Sequence, residues 1–451
     1  MISKKNLILI LASMATFVEA LDIAIINLTI PSIQAQFGVS AESIQWLQSL
    51  YVLFFGGFLI IGGKISDSLG KKKVFIIGST FFMLASLGAG LSSSFEGLAL
   101  FRAIQGLAAA FVMPAASSIV TSTFTDEKER SKALGVFSSF AAIGSGCGLS
   151  AGGIISTYLG WHWVFLINVP ILTVIIIGAI YAMEKDVRTK VESKADVFSG
   201  LLLIAAVLLL TYGIHNLGSI ATQPLLVVGT LALATLLLTV LIKRLKTVSN
   251  PLFDLSIFQH KTLVLSNCMF FVLGGFFVGF LFLISMMLQK DMNYSAAAAG
   301  LLLVPFSVLS TLVAKFAIPT LLKKLDTRQL GILGMCFMLA GGLLLCGSVL
   351  FGHPLAMVLI AAACISGIGM TICYTSFAVF SVKEVPAAHY GITSSLTSTT
   401  YFVGAGIGLS IITIFMQLMP TENAVGILGT AVLAAYAFIG ILILLGYQGK
   451  K

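Results

Sequence analysis

The stretch Leu7 to Ile30 reads LILILASMATFVEALDIAIINLTI. A helix of about 20 residues crosses a bilayer, and this one is apolar except around Glu19 and Asp22. On insertion scales an Asp at a helix centre costs about 2.5–3.5 kcal/mol, while each Leu, Ile, Phe or Val returns only about 0.3–0.6 kcal/mol. The segment can therefore insert, provided that its acids face protein or water and not lipid. At about 100° per residue, a spacing of three puts the two carboxylates on one helix face. Two protonatable groups inside a membrane bundle imply proton or cation coupling, and two such close neighbours should titrate as a unit. The plainer reading is that one acid only bonds a neighbouring helix.

The rest of the chain repeats the pattern of the first segment. Of its 451 residues, 58% are hydrophobic and only 10% charged, and the mean hydropathy is +1.07. A soluble surface of this size needs far more charge. Fourteen apolar stretches suit a bilayer crossing: 7–30, 44–65, 74–92, 97–120, 133–156, 163–183, 198–217, 224–242, 263–288, 297–319, 329–350, 355–381, 390–416 and 425–447. Backbone groups in lipid must be bonded within the segment, so these are helices. The expected fold class is an all-α integral membrane protein. The 44 Gly and 10 Pro are compatible with it.

A net charge of +9 would suit nucleic acid, but the placement of the charges argues against that. With Met1 in the cytoplasm, every basic residue except Arg102, Lys290 and Lys315 falls at a cytoplasmic end or loop. This is the positive-inside bias, and it supports both the helix count and two cytoplasmic termini. Lys4 and Lys5 before an apolar run resemble a signal peptide. The run is too long for one and carries two acids, so a retained first helix is expected. Cys147, Cys268, Cys336, Cys346, Cys364 and Cys373 all fall inside the apolar stretches. That argues against a disulfide framework and for packing as small apolar residues.

Two long polar stretches, Glu184 to Asp196 and Lys243 to Lys261, bracket spans seven and eight. They suggest six helices (1–183), an inserted pair with its flanking loops (184–262), and six more (263–451). An internal repeat supports this 6+2+6 organisation. Ser40-Ala41 precedes span two and Ser295-Ala296 precedes span ten, an offset of 295 − 40 = 255 residues. The same offset lays Lys71 to Lys73 on Asp326 to Arg328. Related halves around a central site are common in secondary transporters. The halves are not chemically equal, because Leu322 stands opposite Asp67, Ile318 opposite Gly63, and span nine has no acid matching Glu19 or Asp22.

Several motifs carry a family likeness. Gly63-Lys-Ile-Ser-Asp67-Ser-Leu-Gly70-Lys71-Lys72-Lys73 resembles the loop between helices two and three of the major facilitator superfamily. Leu21-Asp22 with Asn27 and Pro31 resembles the first-helix signature of its 14-helix drug:proton antiporter family. Arg102-Ala-Ile-Gln105-Gly106 is similar to the helix-four motif, and Gly144, Gly148, Gly152 and Gly153 to the helix-five antiporter motif. Trp161-His-Trp163 with Asn168 and Pro170, Asp196 with Gly200, Pro251-Leu-Phe-Asp254, and Ala299-Gly300 with Pro305 resemble later landmarks. The departures are Ser68 for Arg, Leu149 for Pro, His162 for Arg and Ala24 for Thr, together with the additional acid Glu19.

The resemblance implies a major facilitator fold with pseudo-symmetric halves and export of hydrophobic, cationic compounds in exchange for protons. It implies a bacterial plasma membrane, small-molecule and lipid partners, no nucleic acid, and no cofactor beyond protons as coupling ion. A monomer and no enzymatic activity are expected. Asp22, Glu19 and Arg102 are the candidate proton-coupling residues. Arg102 lies at a depth that allows a pair with Asp22, and an Arg does not give up its proton, so it modulates the acid. Gln105, one turn further along, is expected to share the network. Asp22, Glu19, Gln105, Phe276 and Phe280 are the candidate substrate contacts. Helix nine is rich in Phe and Met nearly all round, so many of these side chains are expected to face lipid.

Gly63, Asp67, Gly70, Lys71, Gly144, Gly148 and Gly152 are candidate gating residues. The resemblance implies that Asp67 caps the helix starting near Tyr390. Gly63 and Gly70 would allow a close approach and a tight turn, while the plainer role of Lys71 to Lys73 is to set topology. The glycine face of helix five permits close helix contact, with static packing as the alternative. His215, His389 and Lys315 are read as snorkelling or capping groups. No phosphate loop, metal cluster or nucleophile–base pair stands out. Two other functions stay open: a facilitator for one metabolite or natural product, and a membrane sensor or scaffold.

Overall fold

A computed structural model of the chain describes residues 3–184, 196–220, 222–249, 251–386, 390–418 and 424–447. His389, Lys185, Arg188, Lys190, Lys194, Lys450 and Lys451 lie outside them, as does the side chain of Lys128. The described residues form helices and no strands. Among the described residues, fourteen helices are long and apolar enough to cross a membrane. They are α1 Lys4–Leu28, α2 Trp46–Leu69, α3 Lys71–Gly90, α4 Phe95–Thr123, α5 Lys132–Tyr158, α6 His162–Ala182, α7 Val197–His215, α8 Pro224–Thr247, α9 Lys261–Asp291, α10 Ala296–Lys324, α11 Thr327–Leu350, α12 Leu355–Val382, α13 Ile392–Met416 and α14 Ile427–Gly446.

Local chemistry sets the helix ends. Ser3 and Ser94 accept from the backbone N–H groups of Asn6 and Gly97 and so start α1 and α4. Asp326 starts α11 with a capping box, accepting from the Gln329 N–H at 2.7 Å while the Gln329 side chain accepts from the Asp326 N–H at 3.1 Å. At the end of α1, the Asn27 amide donates to the carbonyls of Ile23 and Ala24, where the helix tightens into a 3-10 turn. Gly70 sits at φ +103°, a backbone that side-chain-bearing residues rarely adopt, and there the chain reverses from α2 into α3.

The chain forms two compact units. One comprises Met1–Ile204, Val248–Leu252 and Ser295–Gly300; the other comprises Ala205–Thr247, Phe253–Tyr294 and Leu301–Lys451. In the first, α1 packs along α5, α2 along α4, and α3 against α4 and α6. In the second, α9 packs along α13 and α11 against α12 and α14.

The internal repeat reappears as repeated contacts. In the first unit, a Cβ added at Gly144 would collide with the Phe17 carbonyl of α1, and one at Gly152 would sit 2.5 Å from that of Ile25. In the second unit, a Cβ at Gly404 of α13 would collide with the Phe271 carbonyl of α9, and one at Gly408 with Gly275. Both seams bring backbone against backbone, the packing that small residues permit in lipid. The loop cations repeat as well. Lys72 donates to the carbonyls of Ile180 (2.8 Å) and Met183 (2.7 Å) at the end of α6. Arg328 donates to those of Leu444 (2.6 Å) and Leu445 (2.7 Å) at the end of α14. Each cation satisfies carbonyls at a helix C-terminus, where the dipole favours positive charge. Lys72 thus has a structural partner beyond setting topology.

Three expectations need correction. Close approach along α2 occurs at Gly62, where a Cβ would collide with the Ala110 carbonyl; at Gly63 it would meet only Pro114, at 3.8 Å. Cys373 alone of the six cysteines is buried, whereas Cys147, Cys268 and Cys336 are exposed on their helices. The Phe- and Met-rich α9 is enclosed by protein along nearly its whole length: Phe270, Phe276, Phe280, Phe282, Met286 and Met287 are all buried.

Overpacking a closed seam costs about 1–3 kcal/mol. Gly404→Val and Gly144→Val are therefore expected to lower the thermal midpoint of the detergent-solubilised protein, and Gly63→Ala to leave it unchanged, in a fluorescence-detected melting series. Equal melting of all three would contradict the seam assignment.

Candidate functional site

Asp22 lies on α1 among residues from four helices of the first unit. Its carboxylate is fully buried. Arg102 Nη1 of α4 donates to Oδ2 at 2.5 Å. Asn168 Nδ2 of α6 donates to Oδ1 at 2.8 Å, and Gln105 Nε2 of α4 donates to the same oxygen at 3.3 Å. Ser86 of α3 closes the network by accepting from Gln105 (2.8 Å) and Asn168 (3.4 Å). Gln105 uses both ends of its amide, since its Oε1 accepts from Arg102 Nη1 at 3.0 Å.

Arg102 is equally enclosed, and its anchors are not limited to the acid. Nε donates to the Leu47 carbonyl of α2 at 3.1 Å. The guanidinium carbon lies 4.3 Å from the ring centre of Tyr51 on α2 and 5.8 Å from that of Phe165 on α6. Both contacts are cation–π interactions, which strengthen when water is excluded. A buried charge is tolerated when it is paired and its remaining hydrogen-bonding groups are satisfied. Nη2 is the exception, a buried donor with no partner among the described residues.

Glu19, one turn before Asp22 on the same face, is 7% exposed and faces protein. It borders a cavity of about 10 Å³ otherwise walled by Ala15, Val18, Phe82, Ala109, Val112 and Leu172. That is close to the least volume that holds one water, and far below what an organic molecule needs. Among the described residues, Glu19 Oε2 has no hydrogen-bond partner, and the ion pairs found there do not include Glu19. Asp22 is fully buried and Glu19 nearly so.

The structure therefore brings Asp22, Arg102 and Gln105 into direct contact and sets Glu19 beside them. Asn168 was visible in the sequence only as a helix-six landmark, while Ser86, Tyr51, Phe165 and the Leu47 carbonyl had no distinguishing signal. Phe276 and Phe280 lie in the interior of the second unit. Asp67 is exposed near the end of α2, one turn from Gly70, and Lys71 makes a long contact to the Ser118 carbonyl at 3.4 Å. The Tyr390 side chain, expected to lie near Asp67, is outside the described residues. Lys64, expected at the cytoplasmic end of span two, lies in α2 and donates to the Pro251 carbonyl at 2.5 Å. Among the described residues, no three of His, Cys, Asp and Glu converge as metal ligands would.

Residues 12–409 match the family model of the Major Facilitator Superfamily. The chain belongs to this superfamily. Its members are membrane transporters, so the network around Asp22 sits in a transporter and not in an enzyme. The chain is 27% identical over 409 residues to multidrug resistance protein Stp of Mycobacterium tuberculosis, covering 90% of this chain and 75% of that protein. It is 30% identical to the puromycin resistance protein pur8 of Streptomyces alboniger, covering 90% of this chain and 80% of that one. In fold it is similar to the crystal structure of a POT family transporter in complex with 5-aminolevulinic acid. The TM-score is 0.71 at 15% identity, over 98% of this chain and 94% of that one.

Removing one partner of a buried ion pair costs about 3–5 kcal/mol because the other charge is left uncompensated. Arg102→Met is expected to be severely destabilising. The double variant Asp22→Asn/Arg102→Met is expected to lose less than the two single losses together, with a coupling of about 1 kcal/mol or more. Denaturant titration in detergent reads this; additive losses would show that the two residues do not act as a pair.

Proposed function

We propose that the protein is a proton-coupled exporter of hydrophobic, cationic compounds, working by alternating access in a bacterial plasma membrane with both termini in the cytoplasm. The observation that carries this reading is the sealed Asp22–Arg102 pair. A transporter that buries a titratable acid against a fixed cation has built a charge switch at membrane depth. Protonating Asp22 neutralises the acid and leaves the Arg102 charge unmatched. A cationic substrate is then disfavoured nearby, while a deprotonated Asp22 restores neutrality and Glu19 adds negative potential. Proton and substrate thus compete through charge, even though the hydrogen bonds around Asp22 leave no room for a drug directly against it as it stands.

The remaining candidates fit around this switch. The Gly144, Gly148 and Gly152 seam lets α1 and α5 pack closely and serves as a gate. Asp67, Gly63, Gly70 and Lys71 belong to a conformational latch at the loop between α2 and α3. Phe276 and Phe280 are proposed as apolar substrate contacts exposed in another state. Relatives named for multidrug resistance and for resistance to a single antibiotic both support export of small molecules. A carrier specific for one natural product is the second reading, favoured by the puromycin relative.

Proteoliposomes with an imposed pH gradient separate these readings. The wild type is expected to move several unrelated cationic dyes uphill, and Asp22→Asn to abolish that movement. Unchanged proton-driven export by Asp22→Asn would refute the role of Asp22. Transport of one narrow compound would favour the second reading, and no flux would favour a sensor or scaffold.

A further inference from the structure

The two acids of the first unit are buried, but the second unit carries an aromatic surface that is open. Tyr374 of α12 is 48% exposed, and Tyr401 of α13 is partly exposed. Their rings meet edge to face, 6.5 Å apart at 81°. Phe270 of α9 packs edge to face on Tyr374 at 5.4 Å, and Phe377 packs on Phe270 at 6.1 Å. Phe270 and Phe377 are buried, so they back the tyrosine pair and fix its rings. Thr400 donates to Asn267 Oδ1 at 2.7 Å and ties α13 to α9 beside them. Phe270 lies nine residues after the start of α9, Tyr401 nine after the start of α13, and Tyr374 eight before the end of α12. At 1.5 Å per residue the cluster is about 12–14 Å inside its helix ends. A tyrosine that faces lipid belongs near the headgroups, where its hydroxyl finds water. Tyr374 is too deep for that, and protein surrounds it in spite of its exposure, so its open side lines a recess.

The face of an aromatic ring is electron-rich and attracts a cation. In the first unit, Tyr51 and Phe165 direct that attraction to Arg102. Among the described residues, no Lys or Arg stacks on Tyr374 or Tyr401. From α9 to α14 the one acid inside a span is Asp291, the last residue of α9, so no carboxylate of these helices stands at the depth of the tyrosines. We propose that Tyr374 and Tyr401 form a binding site for organic cations, which their ring faces hold in place of a carboxylate. This rests on the reading of the protein as an exporter of cationic compounds and adds where the compound is held. The ligand class is a quaternary or charge-delocalised cation. Such a cation is weakly hydrated and gives up little on leaving water, whereas a compact ammonium is strongly hydrated and finds no charged partner at the tyrosines. A cation held there leaves the hydrogen bonds of Asp22 intact.

Two substitutions separate the ring face from apolar bulk. Tyr374→Leu keeps the bulk and removes the ring; Tyr374→Phe keeps the ring and removes the hydroxyl. Binding of tetraphenylphosphonium and of neutral triphenylphosphine oxide is measured by equilibrium dialysis of the detergent-solubilised protein at one pH, so that no proton gradient enters. Tyr374→Leu is expected to weaken tetraphenylphosphonium binding by about tenfold and to leave triphenylphosphine oxide nearly unchanged. Tyr374→Phe is expected to bind both as the wild type does. Tyr401→Leu is expected to act like Tyr374→Leu, and takes its place if a melting curve shows that Tyr374→Leu does not fold. An equal loss of both ligands in the Leu variants would overturn the proposal, because it would make the tyrosines a plain apolar wall. So would a loss in Tyr374→Phe as large as that in Tyr374→Leu. If the wild type binds no tetraphenylphosphonium, the reading of the cargo as cationic fails and the site with it. If the wild type binds it and both Leu variants bind it equally well, only the aromatic site fails.

Discussion

Burying a charge at membrane depth without losing the fold is the constraint around which the first unit is organised. Asp22 meets it with three donors from two helices, and Arg102 with a carboxylate, an amide oxygen, a backbone carbonyl and two aromatic faces. Because α1, α2, α3, α4 and α6 each supply a piece, the pair also ties the helices together. Any change in the charge of Asp22 is felt by all five. In the proposed function, this is how a proton would act on conformation: it would alter the energy of a contact that many elements share.

The same unit contains a closely packed glycine seam. The seam between α1 and α5 is backbone against backbone, with no interlocking side chains at Gly144 and Gly152 to hold one register. The equivalent seam between α9 and α13 uses Gly404 and Gly408. α1 thus carries the charge network on one face and the glycine seam on another. The duplicated end caps, Lys72 on α6 and Arg328 on α14, show that the two halves share construction even where their chemistry differs. The second unit lacks an acid at the place of Asp22 and keeps the architecture.

Much of this was legible in the sequence, for physical reasons. Apolar length gave the fourteen spans, because a bilayer imposes a length. Two acids in an apolar segment marked the candidate site, because lipid does not tolerate charged carboxylates. Helix direction and depth brought Arg102 to Asp22. What failed depended on rotation about a helix axis. A membrane helix with lipid on one side and apolar protein on the other has no polar face to reveal its orientation. The composition of α9 was therefore consistent with lipid exposure, although Phe276 and Phe280 are enclosed. Adjacent Gly62 and Gly63 differ only by one residue of rotation, and only the first meets α4 closely. Ser86, Tyr51 and Phe165 are ordinary residues in ordinary helices until tertiary packing places them around one guanidinium.

Proton release is the most direct measure of the account. Detergent-solubilised protein in weak buffer, with a pH-sensitive dye as reporter, is given a cationic substrate near neutral pH. The wild type should acidify the solution in a saturable way. Asp22→Asn should bind substrate without that full release. Substrate binding with no proton released by the wild type, or the same release from Asp22→Asn, would contradict the claim that this buried acid exchanges its proton for cargo.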